Sequence, residues 1–310
     1  MPQKRSRPPA SDSTFPASGY EEGAQAVVSA ALRQYPDLRQ AVGTVQSVSR
    51  LNGLTNRVYR VTTPDGDFVL RLPRAENAGL IDRDAEAHNL LLACEHGLAP
   101  PAVILDPGSG ILLTRAIGHG TSPQSVRPAA LGRLVADLHS APFRFRGVLD
   151  PDRLIVEQRV NLEGRPALLA SFNPLADVLE RLGSAAGFGA PVPSHGDLSP
   201  GNVLFGADGP VLIDWEYSAM AVPAWDLAYA ILEHEFDAGE ERDFLAAYAQ
   251  NRNAMTDLHR EILKMKIRCD AVSMLWALGQ ATKGNNSTDF EAFARARLER
   301  ALGTYSKLSG

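Results

Sequence analysis

Two acids and an amide in one short stretch are the side chains whose spacing best suits chemistry. Asp197 and Asn202 lie in the sequence HGDLSPGN, and Asp214 follows in IDWE. Residues 203–205 and 210–213 are apolar and flank a Gly-Ala-Asp-Gly segment, which predicts two short strands joined by a tight turn. Such a hairpin folds Asp214 back beside Asp197 and Asn202. Three oxygen donors would then converge where a hard cation and a polyphosphate could sit.

The elements that must position these side chains divide the sequence into a strand-rich first part and a helical remainder. A five-stranded antiparallel sheet is predicted from alternating or apolar segments at 45–51, 57–62, 68–72, 102–105 and 111–114. Helical spacing precedes the sheet at 20–34 and interrupts it at 82–96. Further helices are predicted at 127–139, 173–182, 223–236, 239–251, 256–282 and 288–307. In the helix at 173–182, Pro174 would occupy the first turn.

This order of elements predicts an α+β protein with two segregated lobes. We expect an N-lobe over residues 20–117 and a C-lobe over residues 118–310. Residues 1–19 are rich in Pro and Ser, and we expect them to form a disordered tail.

Composition excludes several classes of partner. The 310 residues are 45% hydrophobic and 22% charged, as in ordinary globular proteins, and the net charge of −5 offers no basic field for nucleic acid. The N-terminus has no apolar run of a secretory signal, and no window is apolar enough to span a membrane. The two cysteines are predicted to be buried free thiols, which favours a reducing compartment. We therefore predict a cytoplasmic protein without a membrane partner, and the oligomeric state stays open.

The chain resembles the bacterial choline/ethanolamine kinases, within the aminoglycoside phosphotransferase and choline kinase branch of the protein-kinase-like fold. The resemblance extends over about residues 45 to 280, and an HxDxxxxN motif alone would be a weaker signal. The segments that carry it are HGDLSPGNVLF (195–205), LIDWEYSAMAVPAWDLA (212–228), LNGLTNRVYRVTT (51–63), FVLRLP (68–73) and IDRDAEAHNLL (81–91). It implies a bilobal kinase-like fold and transfer of the ATP γ-phosphate, with Mg²⁺, to a small-molecule hydroxyl.

The resemblance gives each residue of the central motif a role. Asp197 would orient the acceptor hydroxyl and take its proton, while Asn202 and Asp214 would bind Mg²⁺. An ordinary carboxylate, with a pKa of about 4, is a poor base for an alcohol, but a loose transition state relaxes that demand. Taken singly, Asp197 could instead cap a turn and Asn202 could be a common loop residue. His195 is expected to be a buried scaffold residue.

Gly196 stands where most protein kinases carry an arginine that binds an activation-loop phosphate. The sequence also has no APE-like segment. Both departures favour a small-molecule kinase that is not switched by loop phosphorylation.

The nucleotide-binding residues are likewise implied by resemblance. Arg71 takes the position of the ATP-phosphate lysine, as in choline kinases, and Glu86 would be its ion-pair partner. The structural alternative is an edge-strand arginine with an unrelated helical glutamate. Gly53, Thr55 and Asn56 would form the turn above the phosphates, although a plain hairpin turn would have the same sequence. The backbone of residues 114–117, from Thr114 to Ile117, would contact adenine.

The acceptor site is expected beyond Asp214, where all three tryptophans of the chain lie. Tyr217, Tyr229 and Trp276 are candidates for an aromatic cage around a quaternary ammonium, and Glu216 would add charge attraction. Aromatic side chains on helices are also commonly core residues. Trp225 and Asp226 are expected to be structural, with Asp226 holding the catalytic segment.

Three functions follow from these residues. The first is an ATP:choline phosphotransferase, with ethanolamine as a possible acceptor. The second is a related kinase for an aminoglycoside, thiamine or another amino alcohol. An aminoglycoside, which carries many ammonium groups, would need a broad acidic surface on the C-lobe. Acids that could supply it are Glu233, Glu235, Asp237, Glu240 and Glu241. The third is a catalytically inactive kinase fold used for binding, which should have lost Asp197, Asn202 or Asp214.

Overall fold

The computed structural model describes residues 17–51, 56–73, 81–118, 127–185, 189–206, 209–250, 258–283 and 289–309. The chain divides into two compact units. The first unit comprises residues up to 78 together with 101–116, and the second comprises residues 79–100 and 117–310.

An antiparallel sheet of five strands forms the centre of the first unit, as predicted from the sequence. Its order is β1-β2-β3-β5-β4, with β1 Ser47–Leu51, β2 Asn56–Thr63, β3 Gly66–Pro73, β4 Ala102–Asp106 and β5 Ile111–Arg115. Two helices, α1 (Ala17–Gln34) and α2 (Pro36–Val42), pack against it. Alternate residues of the strands, such as Val61, Leu70 and Leu113, are fully buried in one core with Val28 and Leu38 of these helices.

Helices dominate the second unit, again as predicted. They are α3 (Arg83–Glu95), α4 (Pro128–Ser140), α5 (Pro151–Val160), α6 (Pro166–Leu182), α7 (Ala224–Glu233), α8 (Ala238–Ala249), α9 (Leu258–Thr282) and α10 (Phe290–Ser309). Short antiparallel pairs join β6 (Val192–Ser194) to β9 (Ala219–Ala221) and β7 (Val203–Gly206) to β8 (Gly209–Leu212). Among the described helices, none is both long and apolar enough to cross a membrane.

Local signals fix where several of these helices begin. Asp82 caps α3 by accepting a hydrogen bond from Ala85 N at 3.0 Å. At α8, Asp237 accepts from the backbone of Glu240, whose side chain accepts in return from Asp237 N, which is a complete capping box. Asp150 followed by Pro151 starts α5, a helix that the sequence analysis missed although this pair is a typical helix start.

The structure corrects one predicted helix. α6 begins at Pro166, so Pro174 lies inside the helix and not in its first turn. Pro166 supplies the helix start instead, and burial of Phe172 and Leu175 on one face stabilises the helix across the interior proline.

The division into units also differs from the predicted lobes. The helix α3 belongs to the second unit, whereas the sequence predicts one N-lobe over residues 20–117. Buried Asn89 of α3 explains this, because its amide donates to Ser218 O at 2.9 Å and Arg146 O at 3.1 Å. At the N-terminus α1 begins at Ala17, inside the predicted tail, and residues 1–16 of that tail lie outside the described residues.

Candidate active site

The hairpin of β7 and β8 carries Asp214 toward the loop that contains Asp197. Val203 pairs with Leu212, and the ladder continues with a hydrogen bond from Ile213 N to Asn202 O at 3.0 Å. Asp214 therefore follows immediately after the residue that pairs with Asn202. Its φ of 66° is left-handed, a conformation that costs a non-glycine residue about 1–3 kcal/mol and is common at functional sites.

A direct hydrogen bond joins two of the predicted catalytic residues. The amide nitrogen of Asn202 donates to Asp197 Oδ2 at 3.1 Å and to the Asp197 carbonyl at 3.0 Å. The amide oxygen of Asn202 is then the atom left to bind a metal ion. The other carboxylate oxygen, Asp197 Oδ1, is buried, and no described donor meets it with hydrogen-bond geometry, although the Tyr229 hydroxyl interacts with the same carboxylate. A buried acceptor of this kind is costly unless a ligand hydroxyl or cation completes it.

His195 is a scaffold residue, in agreement with the expectation from sequence. The ring is fully buried, with Nε2 at 3.0 Å from Ile213 O and Nδ1 at 3.3 Å from Asp197 N. Since a carbonyl only accepts, Nε2 carries the hydrogen and Nδ1 accepts. Burial lowers the pKa of His195, which favours the neutral ring that this pattern requires. The histidine thus links the Asp197 backbone to the residue before Asp214.

The backbone explains why position 196 is glycine. Gly196 has a φ of +85°, and a Cβ there would lie 2.4 Å from the carbonyl oxygen of Tyr217. An arginine at this position would collide with the segment after Asp214. The absence of the protein-kinase arginine is therefore built into the packing of this site.

Side chains of α7 hold the backbone of residues 195 and 196, which precede the predicted catalytic residue Asp197. Asp226 accepts hydrogen bonds from His195 N at 2.8 Å and Gly196 N at 2.9 Å, while the Trp225 indole donates to Gly196 O at 3.0 Å. Burial raises the pKa of Asp226, but the hydrogen bonds from His139 and from the Gly196 backbone outweigh it, so the pKa is lowered. At the other end of α7, His234 Nε2 donates to Leu198 O at 3.1 Å. The sequence analysis missed His234, which is a lone histidine after an apolar helix.

His234 predicts a pH dependence of stability. Burial lowers its pKa to about 4 from an ordinary value of 6.5, so the unfolded chain takes up a proton that the folded chain resists. The stabilisation is present above pH 6.5 and is lost as the pH falls toward 4. Between these pH values, we expect the wild type to lose at most about 3 kcal/mol more unfolding free energy than His234→Gln, which keeps a donor for Leu198.

Denaturant unfolding at pH 7 and pH 4 measures this difference. Replacing exposed His259 by glutamine is the matched control, and that variant should follow the wild type. Equal losses in the wild type and in His234→Gln would contradict the assignment.

Two candidate acceptor residues, Tyr217 and Tyr229, interact electrostatically with the predicted catalytic carboxylate of Asp197. Burial raises the pKa of Tyr229 well above its ordinary value, and the charges of Asp197 and Glu233 add to the effect. Removal from solvent and the charges of Glu216, Asp197 and Asp214 likewise raise the pKa of Tyr217, although the residue as a whole remains 44% exposed. The Tyr229 ring stacks on Trp225, with centroids 6.1 Å apart. Both tyrosines therefore lie within electrostatic reach of Asp197.

The other two acceptor candidates have structural partners. Glu216 is buried, and its carboxylate lies 3.6 Å from Arg83, which also binds Glu86 at 2.6 Å. Sequence reasoning missed Arg83, because a residue one turn before Glu86 carries no motif. Trp276 packs edge-on against Phe290 and Phe293 in the core of α6, α9 and α10. These contacts favour the core alternative for Trp276.

The predicted nucleotide-binding residues are distributed over both units. Asn56 begins β2 and is buried, and Thr114 lies on β5 opposite Val69. Arg71 lies within β3, paired with Val58 and Leu112, and is 6% exposed. Gly53 and Thr55 fall outside the described residues. Ile117 and Glu86 belong to the second unit, so the proposed pairing of Glu86 with Arg71 remains a prediction.

The predicted magnesium site consists of oxygen donors. No cluster of three or more His, Cys, Asp or Glu side chains suited to a metal exists in the described chain. The predicted magnesium set does not need one, since it consists of the Asn202 amide and the Asp214 carboxylate with phosphate and water oxygens. Hard oxygen donors and the fixed orientation of Asn202 fit Mg²⁺.

Two LicA proteins and a choline/ethanolamine kinase family protein are similar to this chain over most of its length. The LicA protein of Haemophilus influenzae is 28% identical over 283 residues, which cover 84% of this chain and 80% of that protein. The crystal structure of choline kinase LicA from Streptococcus pneumoniae has a TM-score of 0.76 at 25% identity and covers 91% of this chain and 99% of its own. A choline/ethanolamine kinase family protein from Mesorhizobium loti has a TM-score of 0.72 at 26% identity, with coverage of 91% and 94%.

The sequence also matches a protein family, and the matched region begins at β1 and ends inside α9. Over residues 47–260 the sequence matches the phosphotransferase enzyme family, APH. This span includes the strands of the first unit and the whole of the catalytic segment. The chain therefore belongs to the phosphotransferase enzyme family.

Proposed function

We propose that this protein transfers the γ-phosphate of ATP to the hydroxyl of choline or of a closely related amino alcohol such as ethanolamine. The observation that carries the proposal is the state of Asp197. One oxygen is fixed by Asn202 at 3.1 Å, and the other, Oδ1, is buried in a carboxylate that also interacts with the Tyr229 hydroxyl. An acceptor hydroxyl that donates to Oδ1 would complete the carboxylate and be aimed by it.

The remaining polar residues support a kinase reaction. Asn202 and Asp214 would hold Mg²⁺, which when bound neutralises charge on the transferring phosphate. Arg71 would bind phosphate oxygens through its planar guanidinium. Asp197 would hold the acceptor hydroxyl in line and take up its proton late in the transfer.

The acidic side chains of the second unit favour a small, singly charged acceptor. Glu233 binds Arg297 at 2.9 Å and Arg300 at 3.1 Å, and Glu241 binds Lys266 at 2.8 Å. Asp237 and Glu240 are used in the capping box of α8. Four of the five acids that could have formed a trough for a polycationic aminoglycoside are therefore engaged within the protein. Tyr217 and Tyr229 offer instead aromatic faces, each worth about 0.5–2 kcal/mol toward one ammonium group.

A panel of acceptors tests the proposal. We expect kcat/KM for choline or ethanolamine to exceed that for kanamycin by roughly 100-fold, the scale of two such aromatic contacts. Thiamine and homoserine complete the panel, and ADP release would be measured with ATP in excess. The Asp197→Asn variant gives the background rate of ATP loss. Efficient turnover of kanamycin without turnover of either amino alcohol would overturn the assigned acceptor class.

A further inference from the structure

A chain of three buried polar side chains lies behind the catalytic loop. The hydroxyl of Tyr248 on α8 is 3.0 Å from Nδ1 of His139 on α4, and Nε2 of His139 is 3.2 Å from Oδ2 of Asp226 on α7. Exposed fractions are 2%, 4% and 0% for Tyr248, His139 and Asp226. Asp226 holds the backbone before Asp197, whereas His139 and Tyr248 have no part in the phosphoryl transfer described above.

The chemistry of the partners fixes the direction of these hydrogen bonds. A carboxylate only accepts, so His139 Nε2 carries the hydrogen that it donates to Asp226. In a neutral ring Nδ1 is then an acceptor, and the Tyr248 hydroxyl donates to it. Asp226 Oδ2 accepts from both His139 and His195 N, while Oδ1 accepts from Gly196 N. Without His139, the carboxylate would keep its backbone donors but lose the side-chain contact that resists its rotation.

Close packing of α4 on α8 brings His139 and Tyr248 together. A Cβ on Gly132 of α4 would lie 2.3 Å from the carbonyl oxygen of Phe244 on α8, so the two helices approach as closely as glycine permits. Farther along the same helices, the His139 and Tyr248 rings meet edge to face with centroids 5.6 Å apart. Their hydrogen bond is therefore set by the packing of helix backbones and not by flexible loops.

We propose that His139 and Tyr248 are positioning residues for phosphoryl transfer, acting through Asp226 on the backbone of residues 195–197. This inference rests on the proposed function, since it assigns Asp197 as the group that orients the acceptor. The two backbone N–H groups that donate to Asp226 belong to His195 and Gly196, immediately before Asp197. A displacement of about 1 Å in a reacting group can lower a rate by roughly 100-fold. The chain from Tyr248 would keep such displacements small.

Three variants test the role. His139→Leu removes the donor and is expected to lower kcat by about 10- to 100-fold, while KM for ATP and acceptor changes by less than about 3-fold. His139→Gln places an amide donor near the position of Nε2 and should restore part of kcat. Tyr248→Phe removes one oxygen and should lower kcat by a few-fold. Buried Val178 of α6 lies in a different core, so Val178→Ala should lower the melting temperature and leave kcat unchanged.

The backbone supplies a second readout that needs no acceptor. Amide hydrogen exchange at residues 195 and 196 should be faster in His139→Leu and Tyr248→Phe than in Val178→Ala. Unchanged kcat per folded molecule in both His139→Leu and Tyr248→Phe overturns the inference. If the wild type phosphorylates no amino alcohol, the proposed function is wrong. Amide hydrogen exchange at residues 195 and 196 is then the only test of the positioning role. Unchanged exchange then overturns the positioning role, and faster exchange supports it.

Discussion

Replacing Asp197 by asparagine is expected to abolish phosphoryl transfer and to leave nucleotide binding intact. The substitution preserves size, so Asn202 and the loop keep their packing. It removes the negative charge and the oxygen that would take the acceptor proton. The fall in kcat should be on the order of 10²- to 10⁴-fold, the usual contribution of a positioned general base. The residues proposed to bind phosphate and Mg²⁺ are untouched, so the Kd for ATP should change little.

Steady-state rates with the best acceptor of the panel, together with nucleotide titration, measure both parts of this expectation. The matched control is Asp177→Asn, which makes the same chemical change at an exposed position of α6. Turnover in Asp197→Asn within a few-fold of the control would contradict the role of Asp197. Loss of nucleotide binding would show instead that the substitution perturbs more than the acceptor end of the site.

The catalytic motif could be predicted from sequence because its geometry is local. Asp197, Asn202 and Asp214 are separated by a loop and one hairpin, and short hairpins have few alternative registers. The observed ladder ends in the Ile213–Asn202 hydrogen bond that this hairpin requires. Strand alternation likewise predicted the sheet of the first unit, since each strand has one face in a single core.

Contacts between distant segments could not be predicted in the same way. Asn89 binds Ser218, and that contact ties α3 to the segment after Asp214, so that α3 groups with the second unit. Arg83 compensates Glu216, which changes Glu216 from a free carboxylate for an ammonium group into half of an internal ion pair. Neither partner has a distinctive spacing, and only the fold brings them together.

Replacing Asp226 by asparagine is expected to cause the largest loss of stability among single substitutions in this site. The Asp226 carboxylate is fully buried and accepts from His195 N, Gly196 N and His139. An amide of the same shape has one oxygen, so its NH₂ group must face at least one of these donors. The variant loses one buried acceptor oxygen, and its NH₂ group faces an N–H donor. Together these two changes cost about 3–5 kcal/mol of unfolding free energy.

The control for this loss is Asp289→Asn. Asp289 also accepts a backbone hydrogen bond, from Ala292 N at 2.8 Å, but it is exposed at the start of α10, and its replacement should cost about 1 kcal/mol or less. Denaturant unfolding at neutral pH compares the two variants.

The stability difference between wild type and Asp226→Asn should depend on pH. The folded-state pKa of Asp226 is lowered, so the stabilisation by its carboxylate is present above the ordinary carboxyl pKa and is lost as the pH falls through the folded-state pKa. The gap between wild type and Asp226→Asn should therefore narrow in acid.

Measurement of kcat distinguishes two effects of Asp226→Asn: the loss of the anchor on the backbone before Asp197 and the loss of overall stability. In Asp226→Asn the backbone before Asp197 loses its main anchor, so kcat should fall even at temperatures where the variant is fully folded. Wild-type kcat in a folded Asp226→Asn protein would mean that Trp225 and His234 suffice to hold the loop. The proposal has His139 and Tyr248 act only through Asp226. Replacing either residue in the Asp226→Asn variant is therefore expected to lower kcat no further. Such non-additivity would show that Tyr248, His139 and Asp226 act in series on the backbone next to Asp197.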